Sequence, residues 1–108
     1  MAETYRIESY SVSLYSSRQD GSALITLYME NGKTALINFK EEERDLPLPA
    51  RSKDGNRYRL FTSVIMLPTY IDILRNESPV YFHYPDRGPN ACISTLQEPV
   101  GEGEQDLY

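Results

Sequence analysis

The sequence has no tryptophan, one cysteine (Cys92) and one histidine (His83). A lone cysteine excludes an internal disulfide and suits a reducing compartment. With a single histidine beside it, there are too few ligands for a tetrahedral zinc site. No apolar run approaches the ~20 residues that a membrane-spanning helix requires. The start Met-Ala-Glu-Thr-Tyr-Arg carries no basic-then-apolar leader and no glycine at position 2 for myristoylation. Bases are the minority charge: 11 Lys and Arg against 16 Asp and Glu give a net charge of −5. That balance disfavours non-specific binding to nucleic acid or to anionic membrane. Gly-x-Ser-x-Gly, Walker and dinucleotide fingerprints are missing, and Glu102-Gly-Glu104 lacks the spacing of a calcium loop. The expectation is a cytoplasmic protein that needs no cofactor and carries no known enzyme signature.

What is present is a sheet protein. Two β-rich runs, Leu24–Met29 and Thr34–Phe39, flank Asn31-Gly32, the pair best suited to the two positive φ angles of a type I′ turn. A two-residue turn predicts the cross-strand pairs Tyr28/Ala35, Thr26/Ile37 and Leu24/Phe39 on one face. Met29/Thr34, Leu27/Leu36 and Ile25/Asn38 then share the other. Both faces come out substantially apolar, so each needs a cover. Residues 4–15 alternate but change phase, with Tyr5 and Ile7 odd and Tyr10, Val12 and Leu14 even. A β-bulge near Ser9 accommodates that slip. Ser16–Gly21 reads as a loop.

After Phe39 comes the acidic run 41–45. Leu46-Pro47-Leu48-Pro49 follows and cannot form a central strand, so it reads as a shield for a sheet edge. The connection ends in a polar stretch to Asn56, and Arg57–Thr62 predicts a short strand with Tyr58, Leu60 and Thr62 on one face. Val64, Leu67, Ile71 and Leu74 give the apolar stripe of one helix. It starts at or just before Pro68, which is tolerated only in a first turn. Val80–Tyr84 and Ala91–Leu96 predict a second hairpin. The tail 98–108, with four acids, two glycines and a proline, predicts disorder. The element order β-β-β-(β)-α-β-β implies a single domain over 1–97 of α+β class. The expected form is a bent antiparallel sheet of five or six strands, up to a partial barrel, with one helix packed on it.

Candidate functional residues are few. Arg51, Lys53, Arg57 and Arg59 surround one acid, Asp54, with Tyr58 interleaved, a pattern that suits single-stranded nucleic acid. The competing reading is a solvated loop that balances the 41–45 acids. His83 sits mid-strand between Tyr81 and Tyr84, either as a sheet-face side chain or as the centre of a small-ligand or enzyme site with Tyr81 and Arg87. Cys92, on an expected inner strand, reads as a small buried hydrophobe. The nine tyrosines, Tyr28 and Tyr81 among them, suit a sheet rim or a protein interface.

Leu74-Arg75-Asn76-Glu77, then Pro79-Val-Tyr-Phe, Ser94-Thr95 and Glu98-Pro-Val-Gly-Glu-Gly-Glu104 resemble a group of small bacterial β-rich proteins of unknown function. Leu27-Tyr28 and Ile37-Asn38-Phe39 extend the likeness. The resemblance implies a bacterial cytoplasmic origin and brings no site residues. The leading functional expectation is therefore a non-enzymatic interaction or regulatory module. It forms a homodimer through a sheet face or an edge strand and acts on a protein partner through Arg51, Lys53, Arg57, Tyr58, Arg59, Tyr28, Tyr81 and His83.

Overall fold

The structure, a computed structural model, describes residues 2–16, 23–41 and 44–96. The 98–108 tail and most of the 16–21 loop lie outside them. The chain forms β1 (Glu3–Leu14), β2 (Ala23–Met29), β3 (Thr34–Lys40), β4 (Ala50–Arg51) and β5 (Arg57–Ser63). A 3-10 turn (Val64–Met66) leads into α1 (Leu67–Asn76), and β6 (Val80–Tyr84) and β7 (Cys92–Thr95) complete it. One sheet holds all seven strands in the order β4-β5-β3-β2-β1-β6-β7.

The class is α+β as the sequence indicates, but the sheet is larger than expected and is mixed. β5 lies parallel to β3, from Thr34/Arg57 to Lys40/Ser63. The connection 41–56 explains this, because a parallel neighbour needs a crossover of about a dozen residues or more, where a hairpin needs two. The sheet also curls. Tyr58 of β5 packs its ring 5.3 Å from Phe82 and 5.0 Å from Tyr84 of β6, a strand well removed from β5 in the sheet order. The result is a half-barrel with α1 on the concave side.

The Asn31-Gly32 turn forms with the expected backbone. Both residues have positive φ, 64° and 71°, and the Lys33 N–H points to the Glu30 carbonyl at 3.5 Å. The strands, however, close one residue earlier, with the Met29 N–H donating to the Lys33 carbonyl at 2.8 Å. Glu30 is left over, and its carboxylate accepts from the Arg6 N–H of β1 at 2.7 Å. That single extra residue shifts the pairing to Leu27/Ala35, Ile25/Ile37 and Ala23/Phe39. All six are buried. The opposite face carries Leu24, Thr26, Tyr28, Thr34, Leu36 and Asn38, none of them buried. The predicted two-sided apolar hairpin is therefore corrected to one core face and one mixed outer face, as a one-residue slip requires.

The β1 bulge falls where the phase change places it, between Ile7/Met29 and Ser9/Tyr28. Beyond it Tyr10, Val12 and Leu14 face the same side as buried Leu27, Ile25 and Ala23. The helix begins at Leu67 with Pro68 in its first turn, after Ser63 accepts from the Ile65 N–H. Leu67, Tyr70, Ile71 and Leu74 of α1, with Val64 before it, pack against the core, and Tyr70 meets Phe39 edge-on at 5.3 Å. Cys92 is a further correction: β7 is the last strand of the sheet, and the thiol is exposed.

Candidate functional site

The sequence candidates do not converge. Tyr58 shares the core face with Leu60, is 1% exposed, and cannot stack on a nucleic-acid base. Its strand neighbours Arg57 and Arg59 point to the outer face, as alternation demands. Arg51 pairs with Tyr58 in register and is held by Glu3. Lys53 is exposed in the turn from Ser52 to Asn56. That turn is fixed by the Asp54 carboxylate, which accepts from the Ser52 hydroxyl and the Asn56 N–H. Tyr28 is on the outer face and half-exposed, its hydroxyl 3.5 Å from that of Ser11.

His83 and Tyr81 lie on the outer side of β6. Thr4 Oγ1 of β1 is 2.8 Å from His83 Nδ1, and Ser94 Oγ of β7 is 2.6 Å from Nε2. The ring ties three neighbouring strands together through two hydroxyls. Neither partner is a carboxylate that could orient a general base. Arg87 belongs to the exposed β6–β7 connection. This arrangement is that of a sheet-face histidine with both nitrogens satisfied. Among the described residues no three of His, Cys, Asp and Glu gather to hold a metal, and no helix is long and apolar enough to cross a membrane.

A polar cluster that the sequence did not reveal closes one end of the half-barrel. Glu3 Oε1 accepts from the hydroxyls of Tyr5 and Tyr58, each at 2.6 Å, and Oε2 accepts from Arg51 Nη1 at 2.6 Å. The Tyr58 hydroxyl also lies 3.3 Å from the Gly55 carbonyl. The Tyr5 and Tyr58 hydrogen bonds, helped by Arg51, hold the Glu3 carboxyl below its usual range. Burial, then Glu3, pushes both phenols up. Every oxygen of this cluster is used internally, so it locks β1 to β4 and β5. Its members are dispersed over the sequence, and only the fold brings them together.

The longest unpaired strand edge among the described residues belongs to β1. β6 pairs with β1 only from Glu3 to Arg6, while β2 pairs with its other side from Ile7 to Leu14. From Ser9 to Leu14 the side of β1 away from β2 has no strand partner among the described residues. A hollow of about 390 Å³, lined by Ser9, Tyr10, Leu74 and Glu77, separates it from the end of α1. In an antiparallel pair, every second residue turns its N–H and C=O away from the partner, so this stretch presents unpaired backbone. Val12 is 37% and Leu14 72% exposed. Ile65 (69%) and Met66 flank the end of the sheet where Leu14, Ala23 and Phe39 align.

Comparison with family models, with curated protein sequences and with solved structures found no match for this chain.

Proposed function

We propose that the protein is a non-enzymatic interaction module that self-associates through the free edge of β1, two copies joining their sheets across a two-fold axis. The observation that carries this reading is the edge itself. Beyond the bulge at Glu8, Tyr10-Ser11-Val12-Ser13-Leu14 contains no charge or proline and keeps a regular register, so it lacks the devices that normally protect an edge strand. The other edges among the described residues are shorter: β4 and β7 are two and four residues long, and Leu60–Ser63 of β5, beyond its pairing with β4, runs beside the Pro47–Pro49 segment. Short or covered edges are themselves a protection.

The edge is also self-complementary. In an antiparallel pairing centred on Val12, Tyr10 faces the partner's Leu14, Val12 faces the partner's Val12, and Ser11 faces the partner's Ser13. Apolar side chains meet apolar ones on the core side and serines meet serines outside, the same patch serving both copies. Covering Leu14 contributes roughly 1–2 kcal/mol and covering the more buried Val12 roughly 0.5–1 kcal/mol, beside the new ladder of backbone hydrogen bonds. The outer sheet face is a weaker candidate, because Thr26, Asn38, Arg57 and Arg59 interrupt its Leu24, Leu36 and Tyr28.

Sedimentation equilibrium with charge-exchange variants tests this. Wild-type chain should dimerise in the micromolar range. Val12→Lys and Val12→Glu should each be monomeric, since like charges meet across the axis, and an equimolar mixture should recover the dimer. A monomeric wild type, or a dimer indifferent to both substitutions, overturns the reading.

A further inference from the structure

β4 is short because of what precedes it. The register Ala50/Arg59 carries Pro49, Leu48 and Pro47 alongside Leu60, Phe61 and Thr62. Two of those three have no N–H to give, so pairing stops and the chains separate. A partly open cavity of about 270 Å³ lies between them, with Tyr70 of α1 and Pro89 and Ala91 of the β6–β7 connection contributing to its lining. No Lys, Arg, Asp or Glu lines it. The Thr62 and Tyr70 hydroxyls have no hydrogen-bond partner among the described residues. Burial pushes the Tyr70 phenol up, which keeps it a neutral donor near pH 7. On this side β5 also lacks a strand partner from Leu60 to Ser63 among the described residues, so its backbone offers donors and acceptors as well.

We infer that this slot is a binding site for a small, uncharged, planar aromatic molecule that carries both a hydrogen-bond donor and an acceptor, of the kind an aromatic amide represents. Size supports the class: an apolar cavity of ~150 Å³ holds benzene, and the larger volume here leaves room for a polar substituent. The missing charges exclude an ionic ligand, which would be desolvated without a counter-ion. The aliphatic and proline walls suit a flat ring, and the Tyr70 and Thr62 hydroxyls suit its amide. None of these residues belongs to the β1 edge, so this site stands apart from self-association.

Titration of isotope-labelled full-length chain with benzamide, and separately with benzoate of the same shape, tests the inference by NMR. Saturable shifts centred on Leu60, Thr62 and Ala91 are expected with benzamide, and binding about tenfold weaker or worse with benzoate. Tyr70→Phe, which keeps the ring against Phe39, should weaken benzamide about threefold to tenfold. Ala91→Leu should fill the slot and abolish the shifts. Scattered or unsaturable shifts, equal binding of benzoate, or full affinity in Tyr70→Phe overturns it. Tyr70→Phe decides the matter if Ala91→Leu does not fold.

Discussion

The hydroxyl of Tyr58 donates a 2.6 Å hydrogen bond to Oε1 of Glu3, joining positions 55 residues apart. Tyr58 thereby does two jobs: its ring fills the core beside Phe82 and Tyr84, and its oxygen anchors the start of β1. Tyr58→Phe separates them, keeping the ring and leaving Glu3 with Tyr5 and Arg51. The expected loss is about 1.5–3 kcal/mol in urea unfolding, the range for a hydrogen bond to a charged group. Tyr58→Ala removes the ring as well and should cost about 3–5 kcal/mol. Equal losses in the two variants would show that the ring contributes nothing, contrary to its burial.

The same cluster sets a pH dependence. The folded-state pKa of Glu3 lies below the ordinary 4.5, so its contribution is complete above that value and is lost as pH falls through the folded-state one. Tyr58 runs the other way. Its folded-state pKa is raised, so its contribution is whole below the ordinary 10.0 and shrinks as pH rises past it. Urea midpoints measured from pH 2 to 6 should fall more steeply for wild type than for Glu3→Gln. Some acid slope should remain in the variant, because hydrogen bonds from Ser52 and the Asn56 N–H also lower the pKa of Asp54.

Glu30 decides which face of the hairpin is apolar. Looped out of the ladder, it sets Leu27 opposite Ala35; paired with Lys33, it would set Tyr28 there and turn Ile37 and Phe39 away from the side that buries Ile25 and Leu27. Its deletion leaves the two-residue Asn31-Gly32 loop directly between Met29 and Lys33, so the Leu27/Ala35 register is kept and only the bond to the Arg6 N–H is lost. Circular dichroism and analytical gel filtration should report a folded chain, less stable by about 1–3 kcal/mol. Gly32→Ala tests the turn backbone instead. It keeps the register and meets only the φ of 71°, for a loss of about 1 kcal/mol.

Sequence patterns suffice where a local rule leaves the chain a single solution. The bulge near Ser9 was legible because a phase change in a period-2 pattern has one economical solution. The helix start was legible because Pro68 leaves few choices. The parallel β3/β5 pair and the hairpin register were not. Strand direction across a long connection leaves no local trace, and a one-residue difference in loop length depends on whether Glu30 finds Arg6. Of the candidate site residues, the partners proved harder to see than the side chains. Glu3 for Tyr58, and Thr4 and Ser94 for His83, are brought together only by cross-strand register.

Pro68 should be nearly neutral when replaced by alanine, with a change within about 0.5 kcal/mol, because a first-turn position has no helical hydrogen bond to lose. Moved three residues on, as Ile71→Pro, the same ring removes a backbone bond and a core contact. It should cost about 3 kcal/mol or more by thermal unfolding.

Cys92 offers a direct check on the β7 edge. Its thiol is exposed on the last strand of the sheet, opposite His83 in register. A thiol-specific chromophoric reagent should therefore modify the native chain about as fast as the chain unfolded in urea. Cys92→Ser should change stability by no more than about 0.5 kcal/mol, as expected for a surface position. Protection of the thiol in the native chain, released by urea, would place it under a cover. It would then mean that β7 does not end the sheet in solution. Repeating the reaction over a dilution series separates two such covers. Protection that fades on dilution comes from a second copy, and protection that persists comes from the chain itself.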